Sequence, residues 1–261
     1  MRSSSASVPV RIDFPINTIK AGLKDVGTIW WINPVGTAAF DEEATLAIEA
    51  VRAPHHRVVV RHLEDGPPHL EYREHGHQVV TPVIELAREA EATGAHAVVL
   101  GCFFDGGLRE LRECVRLPVV GMGEASMLLA STLGHRFSVI VGRRKWVAHI
   151  EQNALLSGME RHLASVRAVD MSIPEAQAEP EAFFRRVREV ARVAVERDGA
   201  EVIVLAEIAP PGFAKILKDE LGVAFVDPGM ASWKWAEIMA DLYEHEAVSH
   251  AEIGDYEPLP A

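Results

Sequence analysis

Two side chains placed at matching ends of a repeated stretch are able to move a proton, Cys102 and Glu207. The first copy reads Gly94-Ala95-His96-Ala97-Val98-Val99-Leu100-Gly101-Cys102 and the second Gly199-Ala200-Glu201-Val202-Ile203-Val204-Leu205-Ala206-Glu207, an offset of 105 (207 − 102 = 105). The aliphatic run in each copy is the pattern of a parallel strand buried on both faces. A residue that ends such a run stands at the carboxyl edge of a sheet, where open α/β folds bind their ligands. If the halves pack about a pseudo-twofold axis, a thiol faces a carboxyl across one cleft. The loop after Cys102, with its backbone N–H groups and the following helix start, is expected to lower the thiol pKa toward neutrality. The apolar run before Glu207 is expected to raise its carboxyl. The bland readings are a small buried cysteine and a surface glutamate.

Other residues fall at equivalent edges. Asn33 ends the first apolar run, and Pro34 and Gly36 shape a turn whose N–H groups suit a carboxylate or imide. Arg143 takes the same place in the second half, where it is a candidate partner for a substrate anion, and Phe103, Phe104 and Ile208 supply an apolar wall. Metal and cofactor chemistry find no support. His69, His75 and His77 share one polar loop, but their spacing matches no zinc signature. The chain contains no GxGxxG, no GxxxxGK[ST] and no GxSxG.

The elements that must position these groups follow from periodicity. Strands are expected at Val26 to Ile32, Arg57 to Leu63, the first repeat copy and Leu117 to Gly121, then at Phe137 to Val141, Val166 to Met171, the second copy and Val223 to Val226. Helices are expected at Asp41 to Arg52, Val79 to Ala92, Leu108 to Cys114 with Asp105 as N-cap, and Glu124 to Leu133 ended by Gly134. Further helices are expected from Lys145 to Leu156, Glu181 to Arg197, Lys215 to Leu221 after a Pro210-Pro211 start, and Met230 to Tyr243. The segment Glu64 to His77 reads as a loop. The reading is an α/β chain of two pseudo-symmetric lobes, each a four-stranded parallel sheet flanked by helices. A leader covers 1–25, the first lobe 26–121 with the closing helix 230–245, the second lobe 122–229, and a tail 246–261.

Composition bounds the partners. The 261 residues are ordinary for a folded chain, 48% hydrophobic and 25% charged, with a net charge of −12 that argues against nucleic acid or an anionic membrane as partner. Two cysteines make no disulfide framework, and Cys114 reads as inert within its helix. The Ser-rich start does not resemble a secretory signal, and no apolar run approaches the roughly 20 residues that span a bilayer, so a cytoplasmic setting is expected.

These residues resemble the aspartate/glutamate racemase superfamily, in particular its hydantoin racemase-like branch. The matching pieces are Ile32-Asn33-Pro34, Gly101-Cys102-Phe103-Phe104-Asp105-Gly106-Gly107-Leu108, Pro118-Val119-Val120-Gly121-Met122-Gly123-Glu124-Ala125 and Gly199 to Leu205, within residues 26 to 245. The resemblance implies a site between the two lobes, no cofactor, and two cysteines flanking a substrate α-carbon. It also implies a homo-oligomer, with the leader and the closing helix as candidate contacts. Cys102 matches the first cysteine, whereas the second position holds Glu207. The expected activity is a cofactor-independent isomerase moving a proton at the carbon α to a carboxylate or imide carbonyl, with a Cys/Glu pair. Two alternatives stand beside it: a decarboxylase or lyase using Cys102 as single acid/base, and a non-catalytic small-molecule-binding protein of the same fold.

Overall fold

The computed structural model describes residues 27–260, so the expected leader and Val26 lie outside it. The first sheet is built by β1 (Gly27–Asn33), β2 (His56–His62), β3 (Ala97–Leu100) and β4 (Val119–Gly121), all parallel in the order β2-β1-β3-β4. Its helices are α1 (Asp41–Glu49), α2 (Arg73–Gln78), α3 (Val80–Ala92) and α4 (Leu108–Cys114). After α5 (Met122–Leu133) the pattern recurs with β5 (Phe137–Val141), β6 (Leu163–Ala168), β7 (Val202–Leu205) and β8 (Ala224–Val226) in the order β6-β5-β7-β8. Helices α6 (Val147–Leu156), α7 (Ile173–Ala178), α8 (Pro180–Asp198) and α9 (Phe213–Leu221) flank this sheet, and α10 (Pro228–Glu246) follows it. The fold is therefore two four-stranded parallel α/β sheets of one topology.

The repeated stretch owes its form to both of its ends. Gly94 and Gly199 are left-handed (φ 80° and 73°) where α3 and α8 finish, a conformation that glycine adopts without steric cost. The strands they lead into, β3 and β7, are wholly buried and occupy the same place in their sheets. Helix α10 returns to pack on β1, β3 and β4, while α5 packs on β7 and β8 and against α10. The two helices thus lie between the sheets. One continuous apolar core joins Trp31 and Val99 to Met127, Val139, Val204 and Trp233, and separate outer clusters seal the far face of each sheet.

Several local expectations are corrected. The segment read as a loop holds α2, and the six-residue α7 appears where no helix was expected, fixed by a Ser172/Glu175 capping box. Strand β6 ends at Ala168 rather than Met171. Pro210 and Pro211 precede the helix without starting it, because left-handed Gly212 is the N-cap and Phe213 the first helical residue. Gly134 does end α5, in extended rather than left-handed backbone. Asp105 does not cap α4, whose N-cap is Gly107; its carboxylate turns to α5 instead. No helix among the described residues is long and apolar enough to cross a membrane.

Candidate active site

The floor of the site forms where β1 and β3 end side by side. Trp31 Nε1 donates to Asn33 Oδ1 at 2.7 Å, Asn33 Nδ2 donates to Asp41 Oδ1 at 2.7 Å, and His62 Nδ1 lies 2.8 Å from Asp41 Oδ2. This relay fixes the Asn33 amide and leaves its second N–H unspent. Gly101 makes the approach feasible, since a Cβ there would stand 2.4 Å from Trp31 Nε1 and 3.0 Å from Asn33 Oδ1. The chain then turns at Cys102, whose N–H donates to Leu100 O at 2.9 Å and whose carbonyl accepts from Asp105 N at 3.1 Å.

The Cys102 loop is pinned on both sides. Asp105, left-handed at φ 51°, accepts the N–H groups of Gly123 (3.0 Å) and Glu124 (2.7 Å) at the start of α5. Phe104 stacks on Trp146 at 3.7 Å, and its carbonyl accepts from His149 Nε2 (3.0 Å) and Asn153 Nδ2 (2.9 Å). The loop of the first lobe is thereby held by the second. In the second lobe, Glu207 follows β7, and Asp227 secures its loop by accepting from Ala209 N (2.8 Å) while capping α10 through Met230 N (2.9 Å). Glu207 itself has no hydrogen-bond partner among the described residues.

Cys102 and Glu207 line one cavity of about 100 Å³, together with Trp31, Asn33, Glu43 and Phe104. Phe103 and Ile208 also border it, so six of the eight expected site residues meet in one place. Gly36 and Arg143 do not. The Gly36 N–H is spent on Pro67 O at 3.0 Å, Val35 N on Asn33 O at 2.8 Å, and a Cβ on Gly36 would meet the Gly66 backbone at 2.4 Å. Gly36 thus serves the close passage of two loops and not a ligand. The Arg143 guanidinium covers the Tyr72 ring at 5.6 Å and lies 3.9 Å from Glu71.

Electrostatics at the two ends differ from the sequence expectation in one case and agree in the other. Burial pushes the Cys102 thiol up to about 12; the Phe104 N–H directed at the sulfur opposes this, and the charges of Asp105 and Glu207 add to it. The predicted lowering is reversed because desolvation acts on the sulfur directly and outweighs the one backbone N–H directed at it, that of Phe104, while the α4 N-cap lies five residues downstream. Burial raises Glu207 to about 8, with Glu43 and Glu71 adding their charges. Glu43 is itself raised by burial and by Asp227. Sequence reasoning missed Glu43, His69, Met122 and Ile173 in the cavity wall. Glu43 was the accessible one: it sits in the first turn of the helix that follows the Asn33 turn, at the carboxyl edge of the sheet. No lysine or arginine lines the cavity among the described residues.

Comparison with known proteins decides the kinship of this arrangement. The model of the family described as Asp/Glu/Hydantoin racemase matches residues 29–234. The chain belongs to the Asp/Glu/hydantoin racemase family. It is 32% identical to the hydantoin racemase of Pseudomonas sp. (strain NS671) over 211 residues, covering 81% of this chain and 85% of that protein. It is also 32% identical to the hydantoin racemase of Rhizobium meliloti over 208 residues, covering 80% of this chain and 86% of the relative. Among solved structures, allantoin racemase from Klebsiella pneumoniae superposes with a TM-score of 0.81 at 26% identity, covering 90% of this chain and 94% of its own. The chain is thus an isomerase of the Asp/Glu/hydantoin racemase type, and the matched span contains every residue of the cavity described above.

Proposed function

We propose that the protein racemises or epimerises a ring imide or ureide by proton transfer between Cys102 and Glu207, in a site shared by lobes 26–121 (with helix 230–245) and 122–229. The observation that carries this reading is the placement of the thiol and the carboxyl on the walls of one cavity, at the ends of equivalent strands. The absence of a lining cation among the described residues and the presence of Glu43 favour an uncharged ring carbonyl over a free carboxylate as the group next to the reacting carbon. Hydantoin and allantoin racemase relatives carry substrates of that chemical class by name.

With the thiol held up at about 12 and the carboxyl at about 8, the ready base near neutrality is the ionised fraction of Glu207 and the ready acid is the Cys102 thiol. Glu207 takes the α-proton, and the C–H electron pair moves into the adjacent carbonyl as an enolate, against which the spare Asn33 N–H is available as donor. The Cys102 S–H proton then adds to the opposite face, leaving a thiolate and a carboxylic acid that return to the starting form by the reverse reaction or by exchange with water.

The test is deuterium exchange at the ring α-carbon of a 5-substituted hydantoin in D₂O, followed by NMR alongside optical rotation. Wild-type protein should exchange and racemise together, and both Cys102→Ala and Glu207→Gln should lose both. Full activity in Glu207→Gln would sink the paired mechanism. Release of carbon dioxide from a malonate-type substrate would point to the lyase reading, and ligand-induced thermal stabilisation without exchange to the non-catalytic one.

A further inference from the structure

The edge of the first sheet opposite the active cleft gathers a second set of reactive side chains. Strand β2 starts at His56, and the seven-residue strand puts that start about 20 Å from its carboxyl edge. His55 and His56 there face Asp241 of α10, and the ligand atoms of all three lie within 4.8 Å of one another. Asp241 Oδ1 is 3.3 Å from His56 Nε2 and 3.8 Å from His55 Nε2.

His56 gives this cluster its meaning. Its side chain is 1% exposed, yet Nε2 makes no hydrogen bond, and its other ring nitrogen lies against the Gly27 backbone. Burying an imidazole nitrogen without a partner costs stability, and the one nearby oxygen sits outside hydrogen-bond geometry. Around a tetrahedral ion with N and O ligands at about 2.0–2.1 Å, neighbouring ligands stand about 3.3–3.4 Å apart. The His56–Asp241 edge already has that length, and the His55 edge is within about half an ångström of it.

The surroundings complete the case. Arg52 holds the His56 carbonyl at 2.6 Å, and Glu237, one turn before Asp241, accepts from Ala53 N (2.7 Å), Trp233 Nε1 (2.8 Å) and Lys234 Nζ (2.7 Å). Lys234 is thus neutralised by Glu237, and Arg52 is paired with Glu49, so neither cation is free to repel a metal. His55 and Asp241 are each about half-exposed (41% and 49%), which gives an ion a way in and leaves room for water as the remaining ligands. Two imidazoles and one carboxylate suit a late first-row divalent ion.

We infer that His55, His56 and Asp241 form a binding site for a divalent transition-metal ion, of which zinc is the reference case, clamping the closing helix α10 onto the start of β2. The role is structural: the site lies across the sheet from the cavity and joins residues 185 positions apart (241 − 56 = 185). A ligand that binds only the folded form stabilises it in proportion to its concentration over Kd.

The experiment uses the full chain, freed of metal by chelation, then titrated with Zn²⁺ against a chromophoric chelator and with Co²⁺ by absorption. One equivalent of Zn²⁺ should bind, the Tm should rise with metal concentration, and the Co²⁺ complex should show visible ligand-field bands with no thiolate charge-transfer band. Asp241→Asn and His55→Ala, both at half-exposed positions and neither in the proton-transfer site, should each weaken Zn²⁺ by at least about tenfold. Zn²⁺ affinity unchanged in both variants, no stoichiometric binding to the wild type, or a thiolate band that places the metal on a cysteine would each overturn the assignment.

Discussion

Replacing Glu207 with glutamine isolates the cost of keeping a carboxyl in this cavity. The side chain has no hydrogen-bond partner among the described residues, and burial raises it from the ordinary 4.5 to about 8. A carboxyl raised on folding binds its proton more tightly in the native state, so its contribution to stability is complete below the unfolded value and is lost as pH rises through about 8. Each tenfold change in acidity is worth about 1.4 kcal/mol, which puts the penalty at roughly 1 kcal/mol near pH 5 and roughly 4–5 kcal/mol near pH 8.5. Glutamine is nearly isosteric and does not ionise. With glutamine taken as equivalent to the protonated carboxyl, Glu207→Gln should exceed the wild type by roughly 1 kcal/mol at about pH 5 and by up to about 4–5 kcal/mol at about pH 8.5, the figures being ceilings because the group borders a cavity open to water. Urea unfolding followed by tryptophan fluorescence reports this directly, since Trp31 and Trp233 lie in the core shared by both sheets. A stability difference that does not grow with pH, or a variant less stable than the wild type at the higher pH, would refute the claim that Glu207 is desolvated.

Three further outcomes follow from the same geometry. Cys102, lifted from the ordinary 9.0 to about 12, should react with iodoacetamide at neutral pH roughly 30–60-fold more slowly than a free thiol, the lost thiolate being partly offset by its greater nucleophilicity, read by mass spectrometry of the 102-containing peptide; rapid labelling there would show an activated thiolate instead. Asp105→Ala should cost about 1–2 kcal/mol in denaturant unfolding, since it removes the acceptor of two α5 N–H groups, and should reduce turnover by loosening the Cys102 loop. Gly101→Ala should destabilise by about 1–3 kcal/mol and abolish activity, because the new Cβ would fall 2.4 Å from Trp31 Nε1 and break the Trp31–Asn33 bond; a variant with wild-type kinetics would mean that the relay does not position the site.

The parts of the fold that were legible are those whose signal is local. Strands β3, β5 and β7 are continuous apolar runs because both of their faces are covered, and β5 has the expected bounds, Phe137–Val141. Strand β6 is a sheet edge, half-buried throughout, so its mixed sequence slid the expected bounds toward Met171. Helix α7 is too short to show a period, and only its Ser172/Glu175 box carried a trace of it. At the site, the upward displacement of Glu207 was readable from the apolar run before it. That of Cys102 was not, since it packs against a cluster gathered from separate stretches of the chain, Ile32, Leu63, Leu70 and Leu108 among its members. Gly36 misled for the same reason: the Gly66–Pro67 loop that consumes its freedom lies thirty residues away (66 − 36 = 30).

The two halves are tied across one another, and that tie is what lets unlike groups share one site. The Cys102 loop is fastened by Asp105 to α5, which packs on the second sheet, and the Glu207 loop by Asp227 to α10, which packs on the first. Each reactive group is thus fixed relative to the opposite lobe, so neither wall can shift without dragging a helix of the shared core. Within that rigid frame the symmetry is broken in energy. Burial leaves the thiol at a higher pKa than the carboxyl, so the thiol/carboxylate form of the empty site is favoured over the thiolate/acid form. In the mechanism proposed above, the ionised fraction of Glu207 serves the enantiomer whose α-proton faces the carboxyl. The same mechanism gives the other enantiomer to the thiolate/acid form, and because enantiomers have equal free energy, detailed balance holds the two directions to one kcat/KM however unequal the populations of the two forms.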